Sequence, residues 1–333
     1  MEQQAKELIN LVNRAQRIVI TAHKSPDGDS VGSSTALFQF LKNRGKEVHI
    51  CHPDPAPKFL NFMKGADQIK NYEESPEAVG ALLEQSDLIF MLDYNHSSRT
   101  GAEMGKIMEA SSAKKVMIDH HLNPSDQADL TISDTTASST CQLIYQFIVA
   151  SGNHAEIDKD LACSVYVGLV TDTGSFRFNS VKPETHEIAA DLIRIGVQQD
   201  RIHEALYDVN TLDRIRLRSY LCAEKLEVIE GGKVAYITVT KDEMLRYNYE
   251  KGDTEGLVNV ALSIGGVVIA ALFSEADHGV KISFRSKGKD HPVNVLASDH
   301  FGGGGHANAA GGFHEGTIGE TVNRFKEVLK SYV

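Results

Sequence analysis

Short apolar runs alternate with amphipathic stretches over the first half of the chain. The runs predict buried β-strands at residues 17–23, 47–51, 87–93 and 115–119. Apolar positions recur with the helical period in the stretches between them, which predicts helices at residues 4–15, 30–43, 76–85 and 102–110. Strands of this length that alternate with helices are typical of βαβ units in a parallel sheet. We therefore predict an α/β fold for residues 1–190, a doubly wound parallel-sheet domain completed by helices at 140–150 and 155–170.

The pattern changes in the second half of the chain. Residues 183–226 have a helical period and are rich in arginine. Beyond them, strands are predicted at 234–239, 266–274 and 279–285, and helices at 253–264 and 318–332. These elements predict a helical linker over residues 191–228 and a smaller α+β substrate-binding domain over residues 229–333. The linker helices also offer a surface through which a homodimer could form.

Composition narrows the class of protein. The chain has 333 residues, of which 41% are hydrophobic, so we expect two folded domains that need no disulfide bonds. Its 45 Asp and Glu against 34 Lys and Arg give a net charge of −11. Binding of long duplex nucleic acid needs a basic face, whereas a few local cations are enough for a short phosphate ligand. The four cysteines lack C-x-x-C spacing, and neither a signal peptide nor an apolar membrane span is evident, so we expect a cytoplasmic protein that does not bind membranes.

Acidic and imidazole side chains follow three of the predicted strands. The segment from His23 to Asp29 follows the first strand. Asp93 ends the third strand, and Asp119-His120-His121 end the fourth. A further acid, Asp172, follows an apolar helix. Because the carboxyl ends of parallel strands lie along one edge of a sheet, where ligands bind in open α/β folds, we expect these side chains to converge.

Carboxylates that are brought together in one crevice repel one another. Either several of them are protonated because their pKa values are raised, or metal ions neutralise them. Carboxylates mixed with imidazoles favour Mn²⁺ or Mg²⁺, and two divalent ions about 3.5–4 Å apart are the arrangement that hydrolyses phosphoesters. At any single position a structural explanation competes, since Asp-Gly is a common turn and an Asp after a strand often caps the next helix. That explanation does not account for all four positions converging on one edge.

The order and spacing of these residues resemble a known family. His23-x-x-x-Asp27-x-Asp29, Asp93, Asp119-His120-His121 and Asp172 resemble, in this order, the metal motifs of the DHH phosphoesterases. Near the C-terminus, Gly302-Gly303-Gly304-Gly305-His306 and then Ala309-Ala310-Gly311 resemble the signature of the DHH-associated domain. The resemblance covers nearly the whole chain. The length and Phe284-Arg285-Ser286 resemble the nanoRNase branch, whose members are bifunctional oligoribonucleases and phosphoadenosine-phosphate phosphatases.

The resemblance implies a set of ligands and catalytic residues. One ion would be held by His23, Asp27 and Asp93, and the other by Asp29, Asp93, His120 and Asp172, with Asp93 bridging the two. His121 would contact the scissile phosphate and act as an acid toward the leaving oxygen. Asp119 would orient an imidazole from behind. Two Mn²⁺ ions are expected, with Mg²⁺ as the alternative.

A smaller set of residues is predicted to hold the substrate. The run Gly303-Gly304-Gly305 lets backbone N–H groups approach an anion, and a helix is predicted to begin at His306, which we also assign to the substrate. A flexible loop is the competing interpretation of the glycines. Arg285, at the end of a predicted strand, suits bidentate contact with a phosphate. Arg99 is predicted either to reach the same phosphate or to pair with a nearby acid.

Together these features predict a two-metal phosphodiesterase and phosphatase. Its expected substrates are short oligoribonucleotides and small phosphonucleotides such as 3′-phosphoadenosine 5′-phosphate, since a long strand would need a basic track with stacking aromatics. The alternatives are a phosphodiesterase for linear or cyclic dinucleotides, a short-chain polyphosphatase or pyrophosphatase, and a nucleotide-binding module without catalysis. The last of these predicts a substituted metal position, and none of the positions named above is substituted.

Overall fold

The chain divides into two compact units that meet in sequence at Val209 and Asn210. The computed structural model describes residues 1–330 and residue 332. Within the part of the chain that is described, every helix is too short or too polar to cross a membrane. The finer division into two domains joined by a linker over residues 191–228 stays a prediction.

A parallel sheet forms the centre of the first unit, and the predicted α/β fold is confirmed. Its strands are β1 (Arg17–Thr21), β2 (Glu47–His52), β3 (Ile69–Asn71), β4 (Leu88–Leu92), β5 (Lys114–Asp119) and β6 (Leu130–Ser133). They lie in the order β3-β2-β1-β4-β5-β6, and every neighbouring pair is parallel. Strand β1 is central, since Ile20 pairs with Ile50 on one side and with Phe90 on the other.

Helices cover both faces of this sheet. They are α1 (Glu2–Arg14), α2 (Gly28–Asn43), α3 (Pro76–Gln85), α4 (Ala102–Ala110), α5 (Thr140–Ala150), α6 (Lys159–Asp172), α7 (Pro183–Ile195) and α8 (Gln199–Tyr207). Ile18 and Ile20 of β1 belong to the core that includes residues of α1, α2, α5 and α6, whereas Val19 belongs to the core that includes residues of α3 and α4. Burial on both faces explains why the strands read as continuous apolar runs.

Small residues bring α2 and α6 into close contact. A Cβ atom on Gly28 would lie 2.4 Å from the side chain of Thr171, and one on Gly32 would lie 2.6 Å from the carbonyl oxygen of Ser164. Any larger residue at these positions would push the two helices apart. The close contact places the C-terminal end of α6, with Asp172, beside the N-terminal end of α2.

The second unit is built on a mixed sheet. Its elements are α9 (Leu212–Glu224), β7 (Leu226–Ile229), β8 (Val234–Val239), α10 (Lys241–Arg246), α11 (Leu257–Leu262), β9 (Ile269–Ala276), β10 (Gly279–Ser286), α12 (Val293–His300), β11 (Gly304–His306), β12 (Ala309–His314) and α13 (Ile318–Leu329). The strand order is β11-β12-β10-β9-β8-β7, in which β8 and β9 are parallel and the other pairs antiparallel. Helices α12 and α13 pack on one face, and α9 and α11 on the other.

The glycine run does not lead into a helix, so the prediction of a helix beginning at His306 is wrong. Residues Gly304–His306 form β11, which pairs with β12 in a tight hairpin. A Cβ atom on Gly303 would lie 1.9 Å from the carbonyl oxygen of Gly311, and Gly305 has a φ of 142°. The hairpin therefore requires glycine at both positions, because the two backbones approach so closely. This structural need also replaces the interpretation of the run as a flexible loop.

Other differences concern the ends of predicted helices and elements that were not predicted. The helix predicted at 253–264 is limited to Leu257–Leu262, which follows Gly256 in the left-handed conformation. The elements that are not in the sequence prediction are β3 and β6 in the first unit and β7, α10, α12, β11 and β12 in the second. The helix predicted at 318–332 ends at Leu329, and Ser331 and Val333 lie outside the described residues.

Candidate metal centre

Side chains from three strand ends and one helix end meet at the carboxyl edge of the first unit's sheet. His23 comes after β1, Asp93 after β4 and His120 after β5, whereas Asp172 is the last residue of α6. Candidate ligand atoms fall into groups whose members lie within 4.8 Å of one another: His23 with Asp27 and Asp93, Asp29 with His120 and Asp172, and Asp93 with His120 and His121. The structure thus brings together all the residues that the sequence predicts as metal ligands. That they bind metal stays a prediction.

The first group is arranged around His23. Its Nε2 lies 3.7 Å from Oδ2 of Asp27 and 3.4 Å from Oδ2 of Asp93. Its Nδ1 lies 2.8 Å from the backbone carbonyl oxygen of Lys24. Because a carbonyl oxygen can only accept, Nδ1 carries a proton, and Nε2 is the nitrogen that faces the two carboxylates. Metal-binding histidines have this orientation.

The second group is arranged around His120. Its Nε2 lies 3.2 Å from Oδ2 of Asp172, 3.6 Å from Oδ1 of Asp93 and 3.9 Å from Oδ2 of Asp29. Its Nδ1 lies 3.4 Å from the carbonyl oxygen of Ala137, which again leaves Nε2 toward the acids. Asp93 belongs to both groups through different oxygens, since Oδ2 approaches His23 and Oδ1 approaches His120.

Asp27 caps a helix and also presents an oxygen to the centre. Its Oδ1 accepts hydrogen bonds from the backbone N–H groups of Asp29 (3.1 Å) and Ser30 (3.0 Å) at the start of α2. Its Oδ2 is the atom nearest His23. The capping explanation and the ligand explanation are therefore compatible at this position, because each uses a different oxygen.

A second helix N-terminus holds Asp29. This carboxylate is fully buried and accepts hydrogen bonds from the backbone N–H groups of Thr140 (2.6 Å) and Cys141 (2.9 Å) in the first turn of α5. The positive end of the helix dipole stabilises the negative charge there. The hydroxyl of Thr140 also donates to Oδ1 of Asp93 over 3.1 Å. Sequence analysis did not single out Thr140, although it begins a predicted helix.

Asp119 lies behind His121. Its Oδ1 is 2.7 Å from Nδ1 of His121, and the carboxylate is fully buried. Among the described residues, Oδ2 of Asp119 has no hydrogen-bond partner. The arrangement fixes the His121 ring so that Nε2 is the nitrogen left for chemistry.

The electrostatics of the centre are those of crowded, buried acids. Burial and the charge of Asp29 raise the pKa of Asp93 to about 7. Burial and the charges of Asp29 and Asp93 raise the pKa of Asp172 well above its usual range. At His23 burial acts to lower the pKa, but hydrogen bonds and charge from Asp27 and Asp93 outweigh it, so the pKa is raised. Divalent cations would relieve this repulsion, and the oxygen and imidazole donors fit them.

Backbone strain is concentrated around the same residues. Asp93 itself has a φ of 63°, and Ser25, between His23 and Asp27, has a φ of 59°. Left-handed conformations of this kind cost about 1–3 kcal/mol each in non-glycine residues and cluster at functional sites. The fold therefore holds these segments at the centre in backbone conformations that reduce the stability of the protein.

A buried histidine that sequence analysis missed lies near the centre. His52 ends β2, is fully buried, and has its Nε2 3.0 Å from the hydroxyl of Ser34. Burial, together with the charge of His23, lowers the pKa of His52 to about 3, so its ring is neutral. Its signal in the sequence was its position at the end of a strand on the same sheet edge.

The predicted substrate residues lie in both units. Arg99 is exposed on a short turn after β4, and its carbonyl oxygen accepts a 2.7 Å hydrogen bond from the backbone N–H of Lys24, next to His23. No ion pair of Arg99 is found among residues 1–330 and 332, so the alternative that it pairs with a nearby acid is not supported. In the second unit, Arg285 pairs in register with Ala309, and Ala309 pairs with His306.

This register places Arg285 and His306 on one face of the second unit's sheet, because side chains in the same cross-strand row point the same way. The guanidinium of Arg285 donates to the carbonyl oxygen of Phe284 over 2.9 Å. Burial lowers the pKa of Arg285, and the charge of Glu255 opposes that shift. Because a guanidinium has several N–H donors, others remain for a further anion beside the one that contacts Phe284.

Comparisons with known proteins identify the family to which the chain belongs. Residues 17–169 match the DHH family, N-terminal domain, and residues 231–333 match the DHHA1 domain. The bifunctional oligoribonuclease and PAP phosphatase NrnA of Thermus thermophilus is 30% identical to this chain over 94% of the chain and 89% of its own length. The chain belongs to the DHH family.

Two further proteins are similar to this chain over nearly their whole length. The bifunctional oligoribonuclease and PAP phosphatase NrnA of Bacillus subtilis is 28% identical to this DHH protein over 92% of the chain and 91% of its own length. The crystal structure of an exopolyphosphatase-related protein from Bacteroides fragilis superimposes with a TM-score of 0.96 at 38% identity, covering 100% of this chain and 97% of that one. The fold and the family thus agree with the resemblance noted in the sequence.

Proposed function

We propose that this chain is a two-metal phosphodiesterase and phosphatase that hydrolyses short oligoribonucleotides to mononucleotides and 3′-phosphoadenosine 5′-phosphate to AMP. The observation that carries the proposal is the position of Asp93, whose two oxygens approach His23 and His120 separately. A carboxylate shared in this way brings two cations close together, as in-line displacement at phosphorus requires. The choice of substrates rests on the relatives named as oligoribonucleases and PAP phosphatases.

The proposed ligands divide between the two groups already described. One cation would be held by His23, Asp27 and Asp93, and the other by Asp29, Asp93, His120 and Asp172. Hard oxygen donors mixed with imidazole favour Mn²⁺, and Mg²⁺ is the alternative. When bound, the two cations would polarise the phosphoryl oxygens and make a water molecule more acidic.

His121 is proposed to handle the proton of the leaving group. Asp119 accepts the hydrogen bond from Nδ1 of His121, which fixes the orientation of the ring. Nε2 of His121 is then the atom that gives a proton to the departing ribose oxygen. Because Asp119 is fully buried, it acts through His121 and not on the substrate.

Each unit is proposed to contribute its own phosphate-binding groups. Arg285 and His306 would contact a phosphate, helped by backbone N–H groups of the Gly303-Gly304-Gly305 segment. Arg99 would contact a phosphate at the centre, since its turn is hydrogen-bonded to the residue next to His23. These few cations on an acidic chain suit substrates of a few nucleotides better than long strands.

The proposal is tested with the purified protein on 5′-phosphorylated diadenylate and on 3′-phosphoadenosine 5′-phosphate. Each reaction is run with Mn²⁺, with Mg²⁺ and with a chelator. Asp93→Ala is compared with Asp67→Ala, which removes an exposed carboxylate from the same unit. We expect metal-dependent release of AMP that Asp93→Ala abolishes and Asp67→Ala retains. Tight binding of both substrates without turnover would instead indicate a nucleotide-binding module.

Two further substrates decide between the proposal and its alternatives. Tripolyphosphate tests the polyphosphatase alternative, which the name of the Bacteroides fragilis protein suggests. A cyclic dinucleotide tests the dinucleotide phosphodiesterase alternative. Faster turnover of either than of diadenylate would contradict the proposed substrate class. Light scattering on the same sample checks the proposed homodimer.

A further inference from the structure

An aromatic ring is exposed in the turn that follows the proposed ligand Asp172. Phe178 is 45% exposed, and Asp172 ends the helix just before this turn. Phe62 is similarly exposed, at 42%, but lies between β2 and β3, far in sequence from every proposed ligand. A single exposed apolar side chain needs no explanation by itself. The backbone that presents Phe178 does need one.

That backbone is left-handed at three consecutive residues, two of which are not glycine. Gly174, Ser175 and Phe176 have φ values of 56°, 61° and 62°. A glycine adopts this conformation freely, but a bulky residue such as phenylalanine rarely does. Strain of this kind persists only where the surroundings enforce it, and it clusters at sites that hold ligands.

Hydrogen bonds to the end of α6 enforce the strained turn. The backbone N–H of Ser175 donates to the carbonyl oxygen of Val170 over 2.7 Å. The backbone N–H of Phe176 donates to the hydroxyl of Thr173 over 2.9 Å. The backbone N–H of Phe178 then donates to the carbonyl oxygen of Thr173 over 3.1 Å, so the chain folds back onto the residue next to Asp172.

The ring of Phe178 rests against Gly174. A Cβ atom on Gly174 would lie 2.6 Å from Cζ of the ring, so only glycine permits this contact. Gly174 is two residues from Asp172, a separation of at most about 7 Å along the backbone. The ring therefore contacts a residue whose Cα atom is at most about 7 Å from that of the proposed metal ligand, and the exposed part of the ring remains open to a ligand.

We infer that Phe178 is a stacking platform for the base of the nucleotide whose phosphate is bound at the metal centre. The inference rests on the proposed function and deepens it, because it assigns the site to nucleoside phosphoesters and not to base-free phosphates. Every nucleobase has a π face, so an aromatic platform selects nucleotides without selecting a particular base. A polyphosphate gains nothing from the ring.

The test compares 3′-phosphoadenosine 5′-phosphate with ribose 3,5-bisphosphate, which has the same phosphates but no base. The variants are Phe178→Ala, Phe178→Tyr and the control Phe62→Ala. Loss of one stacked base predicts that Phe178→Ala lowers kcat/KM for the nucleotide by roughly 5- to 150-fold, mainly through KM. In Phe178→Ala the kcat/KM for the base-free substrate is unchanged. Phe178→Tyr keeps the wild-type kcat/KM for the nucleotide, and Phe62→Ala keeps the wild-type kcat/KM for both substrates.

Two results overturn the inference. One is an equal loss on both substrates in Phe178→Ala, which indicates a structural role for the ring. The other is no loss on the nucleotide. If the wild-type protein hydrolyses neither substrate, the proposed function fails, and calorimetric binding of AMP and ribose 5-phosphate to the Mn²⁺-treated protein decides the inference separately. A wild-type preference for AMP that Phe178→Ala removes supports the platform, and an unchanged preference overturns it.

Discussion

Replacing Asp93 by asparagine separates folding stability from metal binding. Asp93 is 2% exposed, and its pKa is raised from 3.8 to about 7. The unfolded chain ionises this group near its ordinary value, so the folded state binds the proton more tightly between about pH 4 and pH 7. The free energy of unfolding of the metal-free protein therefore falls as the pH rises through this range. About 3 pH units at about 1.36 kcal/mol each amount to roughly 4 kcal/mol.

Asparagine cannot ionise, and it fits the same space. Its Oδ1 can still accept the hydrogen bond from the hydroxyl of Thr140. In chelator at pH 8 we expect Asp93→Asn to be more stable than wild type by up to roughly 4 kcal/mol, and near pH 4 we expect no difference. Mn²⁺ should stabilise the wild type and have much less effect on the variant, which lacks the shared ligand.

Urea unfolding at pH 4 to 8, with and without Mn²⁺, measures these differences. The control is Asp87→Asn, because Asp87 accepts hydrogen bonds from the backbone N–H groups of Gln16 (3.0 Å) and Arg17 (2.8 Å), which lower its pKa. Folding favours the ionised form of Asp87, so Asp87→Asn should have a lower free energy of unfolding than the wild type at pH 8. The reasoning is refuted if Asp93→Asn is no more stable than wild type in chelator at pH 8.

Four further variants test packing within the first unit and contacts at the proposed sites. Gly168→Ala should lose about 1–3 kcal/mol of stability and bind metal more weakly, since its Cβ would lie 2.2 Å from Sγ of Cys141 and 2.5 Å from Oδ1 of Asp29. Gly80→Ala should raise the free energy of unfolding by about 0.5–1 kcal/mol, because its Cβ would lie 3.6 Å from the nearest atom, Cδ1 of Ile107. Equal free energies of unfolding in urea for Gly168→Ala and Gly80→Ala would contradict the packing argument. Asp119→Asn should lower kcat about 10- to 100-fold with little change in KM, and an unchanged kcat would remove Asp119 from the mechanism. Arg285→Lys should raise KM about tenfold because lysine lacks the forked donors, whereas an unchanged KM would argue against a phosphate contact there.

The arrangement of the first unit follows from short-range sequence features. Apolar runs of strand length and helical periods predict the parallel sheet, and the rule that parallel strands end on one edge predicts that Asp93 and His120 meet. Asp172 ends a helix and not a strand, so this rule does not cover it, and its position beside the sheet edge depends on the contact between α2 and α6. That contact in turn depends on Gly28 and Gly32, whose role is visible only when the partner helix is in place.

Features that depend on long-range contacts were not predictable. A glycine run is compatible with a loop, a helix start or a hairpin, and the pairing of Gly305 with Ala310 decides for the hairpin. Thr140 donates to Asp29 across the first unit, so its own sequence neighbourhood gives no sign of this role. The strained turn that presents Phe178 is enforced by hydrogen bonds to the end of α6, and the sequence does not specify their geometry.

The central claim is that one carboxylate, Asp93, joins two cation sites. The most direct test is to count Mn²⁺ bound per chain by equilibrium dialysis and to record the electron paramagnetic resonance spectrum of the loaded protein. We expect two Mn²⁺ per wild-type chain with the signal of a coupled pair, and neither the second ion nor the coupling in Asp93→Asn. A single Mn²⁺ per wild-type chain, or two ions without coupling, would contradict the account.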